Sequence, residues 1–116
     1  MFGRSFVKAV SHPTNLGNVF RSVGEYAKAE EYHQKALPIK TEIGDKDGQA
    51  SCYGSLGNVF FSVAEYAKAE EYLQKALTIR TEIGDKDGQA TCYINLGNVF
   101  RETVSAGGGL YGYVPL

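Results

Sequence analysis

Tryptophan is absent from this 116-residue chain, and methionine (1), cysteine (2), histidine (2) and proline (3) are scarce. Two cysteines cannot build the dense disulfide framework of a small secreted domain. Cys52 and Cys92 also recur at equivalent positions of a duplicated segment, which places them on equivalent helices rather than face to face. Packed helix axes lie about 8–10 Å apart, whereas a bridge needs alpha carbons within about 7 Å. Both are read as reduced, packed thiols. With no second Cys or His at ligand spacing, neither a metal nor a cofactor is expected. No apolar run approaches the ~20 residues of a membrane span, so no membrane partner is expected. An excess of charge is missing too: 12 Lys and Arg stand against 13 Asp and Glu. The signs are interspersed, without the basic stripe of a nucleic-acid binder. The first ten residues lack acids and carry Arg4 and Lys8. They are too short and too poor in Ser and Arg for an organelle transit peptide, so the cytoplasm is the expected location.

What the chain does contain is repetition. The 40 residues Leu16–Ser55 recur as Leu56–Asn95, and a third copy begins at Leu96 and stops after Phe100. Eight positions differ between the full copies: Arg21/Phe61, Gly24/Ala64, His33/Leu73, Pro38/Thr78, Lys40/Arg80, Ser51/Thr91, Gly54/Ile94 and Ser55/Asn95. Such a period marks an array in which each unit buries its apolar face by stacking on its neighbours.

Within the second copy, Ala50, Tyr53, Leu56, Gly57 and Phe60 recur at three- and four-residue spacing. Tyr66, Ala69, Leu73, Ala76 and Leu77 do the same in the following segment. This spacing predicts two amphipathic helices per repeat. A second stripe, Tyr72, Ala76, Ile79 and Ile83, predicts that the later helix packs on its own partner and on the next repeat. Gly44-Asp45-Lys46-Asp47-Gly48, copied as 84–88, reads as a glycine stop followed by an N-capping aspartate. Helices are expected near 13–23, 25–42, 47–63, 65–83 and 87–103. Pro38 is expected to kink the second helix or end it early, because it removes an amide donor and collides with the carbonyl of Gln34.

Leu56-Gly57, Phe60, Ala69, Leu73 and Ala76, with Leu16-Gly17, Phe20, Ala29, His33 and Ala36, resemble the tetratricopeptide repeat family in their spacing. The family's early aromatic is matched by Tyr53 and Tyr93 but replaced by Pro13 in the first copy; its closing proline is replaced by Thr41 and Thr81. The 40-residue period and the string Asn-Leu-Gly-Asn-Val-Phe are similar to Pins-type spindle-orientation scaffolds. The resemblance covers about residues 14–103. It implies an all-α solenoid of antiparallel helix pairs, two full repeats plus one extra helix. The expected organisation is a lead at 1–12, an array at 13–103 (repeats about 13–46 and 47–86, partial 87–103) and a Gly-rich tail at 104–116. Gly17, Gly57 and Gly97 fall inside helices, at about 1 kcal/mol each relative to alanine. Close approach of a neighbouring backbone explains that cost, with Ala29 and Ala69 as the small partners.

On a helical wheel Asn58 lies nearly opposite Leu56 and so faces away from the core. Ser51, Gly54, Ser55, Phe61 and Ser62 share its side. Thr14, Asn15, Asn18 and Arg21 do so in the first copy, and Asn95, Asn98 and Arg101 in the third. The family resemblance implies that these first-helix positions line a concave groove contacting protein ligands. The expected peptide-binding set is Asn15, Asn18, Arg21, Ser55, Asn58, Phe61, Ser62, Asn95, Asn98 and Arg101. A primary amide is donor and acceptor at once, matching the edge of a peptide group, and the arginines suit acidic side chains. The family's basic clamp for a C-terminal carboxylate expects lysine where Thr14, Gly54 and Ile94 stand.

Other chemistries fail on spacing. Aligning Gly48 with an EF-hand glycine puts Ile43 and Gly54 where calcium ligands are required. Gly107-Gly108-Gly109 lacks the Gly-Lys-Ser/Thr ending of a phosphate loop. His33 replaces core Leu73 and reads as packed, and His12 as a helix-entry residue. No nucleophile, base and orienting group assemble, so no catalytic residue is assigned and no enzyme is expected. The array stops where a further Glu-Tyr-Ala-Lys helix is due, which fits a fragment of a longer scaffold or adaptor. Its open end, around Tyr93, Leu96 and Phe100, is expected to self-associate or to be covered by Leu110, Tyr111, Tyr113 and Val114. The alternative function is a structural spacer, or a self-associating truncated array whose groove holds no ligand.

Overall fold

The computed structural model describes residues 13–22 and 24–105, with side chains from Leu16 onward. Among the described residues five helices follow one another: α1 Pro13–Ser22, α2 Tyr26–Glu42, α3 Lys46–Ser62, α4 Tyr66–Glu82 and α5 Lys86–Ser105. Among the described residues there is no strand, and no helix is long and apolar enough to cross a membrane. Every expected helix is present, with bounds within two residues of the periodicity. The lead before Pro13 and the chain beyond Ser105 lie outside the described residues, and so does any cover that Leu110, Tyr111, Tyr113 and Val114 would give the open end.

The turns explain the sharp helix ends. Gly44 and Gly84 adopt φ of 73° and 72°, a left-handed conformation that glycine enters without steric cost. The chain doubles back through paired amide bonds, Asp45 N–H to Lys40 O (2.9 Å) and Gly44 N–H to Thr41 O (3.1 Å). The carboxylate of Asp45 then accepts from the Gly48 amide at 2.8 Å, and Asp85 accepts from Gly88 at 2.9 Å. One five-residue string thus stops one helix and caps the next.

Pro38 does not end α2. The helix continues to Glu42, matching the 17 residues of α4, where Thr78 stands instead. Pro38 is exposed, so the unsatisfied Gln34 carbonyl can turn to water. Ala29, His33 and Ala36 hold the opposite face in the core.

Consecutive helices pack on one another, and α3 also touches α1 and α5, so that α1, α3 and α5 form one row and α2 and α4 the other. The result is a short solenoid of 51 × 36 × 21 Å. Phe60, Ala69, Leu73 and Val99 form its core, with Tyr72 stacked on Phe60 at 5.4 Å between ring centroids. Burying a side chain such as Leu73 contributes about 1.5–3 kcal/mol. The second stripe of α4 is covered only in part: Ala76 is buried, but Ile83 is 42% exposed because it forms the C-cap and enters the turn rather than the α5 interface.

Candidate functional site

Along the row of first helices run two hollows. The larger, about 500 Å³, has Leu73 and Ala76 of α4 among its walls and is edged by Asn18, Ser51, Ser55, Asn58, Thr91 and Asn95. The smaller, about 250 Å³, is lined by Arg21, Asn58, Phe61, Leu73, Asn95, Asn98 and Val99. Asn58, Asn95 and Leu73 belong to both, so the hollows are continuous along one face. The asparagines reach it because the apolar stripe of each first helix turns the other way, burying Leu16, Leu56 and Phe60.

Of the residues singled out by sequence, Asn18, Arg21, Ser55, Asn58, Phe61, Asn95 and Asn98 line these hollows. Ser62 does not: it is exposed, and its hydroxyl donates to the Asn58 carbonyl at 3.0 Å. Arg101 lines neither hollow; its side chain is 68% exposed and lies 3.6 Å from Glu102. No described helix follows α5 to wall that side. The side chain of Asn15 lies outside the described residues.

Sequence reasoning missed Arg80. It sits on α4, in the row not assigned to the groove, yet its long stem carries the guanidinium into the larger hollow. There it donates to Asp47, to Asp85 at 3.0 Å and to Ser51 Oγ at 3.0 Å. Its counterpart Lys40 pairs, among the described residues, with Asp45 at 3.3 Å. The Lys40/Arg80 difference was the available signal, since a guanidinium presents five donors in a planar fork.

The charged members of the lining are Arg21, Arg80, Asp85 and Asp87. Arg80 is committed to two carboxylates, whereas Arg21 has no carboxylate partner among the described residues and its Nε is buried without an acceptor. Cys52 and Cys92 are buried thiols with no disulfide between them. Burial pushes the Cys92 thiol up, the reverse of what a nucleophile needs. His33 is wholly buried beneath Gly17, and its imidazole is lowered first by burial and then by Arg21. Among the described residues no group of three or more His, Cys, Asp or Glu gathers to hold a metal. The amides and hydroxyls of the lining place hydrogen-bond donors and acceptors around the apolar Leu73 and Ala76.

No curated protein matches the chain. A family model described as a tetratricopeptide repeat matches residues 9–82 and again 56–103. Together the matches run from α1 through most of α5, over the helix pairs just described, and the chain belongs to the tetratricopeptide repeat family.

Proposed function

We propose that this chain is a non-enzymatic interaction module of the cytoplasm that holds an extended segment of a partner protein in its asparagine-lined groove. Tetratricopeptide repeats generally mediate protein–protein interaction. The observation that carries the finer reading is the shared lining of Asn18, Asn58, Asn95 and Asn98 along one continuous face. Each amide matches the donor and acceptor edge of a peptide group, and Arg21 offers a cation to an acidic side chain. The 40-residue period supports a place within a larger scaffold or adaptor similar to the Pins type. A displayed library of unstructured peptides tests this. Wild type is expected to enrich a motif, and Asn58→Ala/Asn98→Ala, shown to be folded by circular dichroism, is expected to lose it. Enrichment untouched by the double variant, or none with wild type, would sink the reading in favour of a spacer.

A second reading, self-association, rests on α5. Tyr93 (61%) and Ile94 (63%) are exposed there, although Tyr53, the equivalent of Tyr93, packs on Tyr72 of the next helix. Apolar surface of this kind favours contact with another chain.

A further inference from the structure

We propose that His33 makes the first helix pair an acid-labile unit, so that mild acidification opens the α1 end of the groove, a regulation that rests on the groove reading above. His33 is 0% exposed and occupies in α2 the place that Leu73 occupies in α4. Gly17 of α1 lies directly against it: a Cβ there would fall 2.9 Å from the ring Nε2. Among the described residues neither ring nitrogen has a hydrogen-bond partner. A buried imidazole tolerates this as a neutral ring far better than as a cation, for which desolvation is uncompensated.

Among the described residues the charges around it offer no relief. From α1 comes only Arg21, a second positive charge that opposes protonation. From α3 come only Lys46 and Asp47, both on its first turn, with Asp47 engaged by Arg80. On α2 itself Lys28, Glu30, Glu31, Lys35, Lys40 and Glu42 make no hydrogen bond to the ring. Protonation therefore requires the ring to reach water, and the simplest route is departure of α1. That helix has 10 residues, and among the described helices it packs on α2 and α3. Isolated helices of this length are marginal in water.

The sign follows from linkage. The folded chain holds His33 below its ordinary value of 6.5, so as pH falls through that value the opened state takes up a proton that the folded state does not. Stability is full above that value and declines below it. The second pair, with Leu73 at this place, has no such dependence. Asn18 and Arg21 ride on α1, so its departure removes one end of the groove lining.

Thermal melts of the full chain from about pH 7.5 to about pH 5.5 test the device, in a window where ordinary carboxylates stay ionised. Wild type is expected to lose several degrees while His33→Leu stays level. Amide exchange is expected to quicken at Ala29–Ala36 with protection retained at Ala69–Ala76. An equal decline in His33→Leu, or loss of protection spread evenly over both pairs, would overturn the proposal. So would a wild-type His33 ring that titrates at its ordinary value in the folded state by NMR, a measurement that needs no variant. Coupling to the groove is read with a histidine-free peptide enriched by wild type. Its affinity should drop severalfold at the lower pH for wild type and hold for His33→Leu; equal loss in both overturns the gating. If no peptide is enriched, the groove reading and the gating fail together, and the melts alone decide the lability.

Discussion

At the turn inside each pair, Gly24 and Ala64 show how a single methyl group changes the energetics of an otherwise repeated unit. Both adopt positive φ, 83° and 63°, a region that costs a residue with a Cβ about 1–2 kcal/mol. Ala64→Gly is therefore expected to stabilise the chain by about 1 kcal/mol in urea unfolding; an unchanged or lower midpoint would contradict the strain. The helical glycines separate in the same way. A Cβ on Gly57 would lie 2.7 Å from Leu73 Cγ and 3.3 Å from the Ala69 carbonyl, whereas one on Gly97 meets nothing within 4 Å. Gly57→Ala should cost about 1–3 kcal/mol through overpacking. Gly97→Ala should instead gain up to about 1 kcal/mol of helix propensity. Loss of stability in both variants would refute this contrast. The identical strings around Gly57 and Gly97 conceal the difference, because it comes from the helix that follows α3 and has no described counterpart after α5. The place of His33 in the core was legible from its alignment with Leu73; the lack of a partner for its ring among the described residues was not, since that depends on what α1 and α3 bring near.

Helices and their ends were the most legible level, because hydrophobic period and turn chemistry act within a few residues. The string Gly-Asp-Lys-Asp-Gly announces both the stop and the cap. Removing the cap of α5 by Asp85→Ala is expected to cost about 1 kcal/mol, read by urea unfolding. In α3, the Gly48 amide and then Lys40 hold the Asp45 carboxyl below the ordinary 3.8. Its contribution is full above that value and is lost as pH falls through the lower folded value. The stability gap between wild type and Asp45→Ala should accordingly narrow on strong acidification; a constant gap would remove the cap's charge from the explanation. Pro38 misled because its rule is local. A helix interior rejects proline by about 3 kcal/mol, but packing of Ala29, His33 and Ala36 carries α2 past it. Pro38→Thr, which recreates the sequence of α4 at this place, is expected to raise stability by about 2 kcal/mol once the looser unfolded chain is allowed for. No gain would mean that the proline already sits without strain.

At the scale of the molecule, stacking sets what the solenoid displays. The wheel turns the asparagines away from the core from sequence alone, because side-chain direction along a helix is fixed by its period, and Asn18, Asn58, Asn95 and Asn98 line the two hollows. Arg101 lines neither, with no described helix after α5 beside it, and Arg80 enters the larger hollow because its reach crosses from one row to the other. The same stacking leaves Tyr93 and Ile94 exposed on α5. Sedimentation is expected to show association rising with concentration, abolished by Tyr93→Glu/Ile94→Lys; a wild-type monomer at all concentrations would contradict this. Peptide binding is expected on the other face. Titrating isotope-labelled chain with a library-enriched peptide, and following the side-chain amides by NMR, addresses it residue by residue. The amides of Asn18, Asn58 and Asn98 are expected to shift together on one binding curve. Shifts confined to α5's outer face or to the outer surfaces of α2 and α4, with those three amides still, would contradict this.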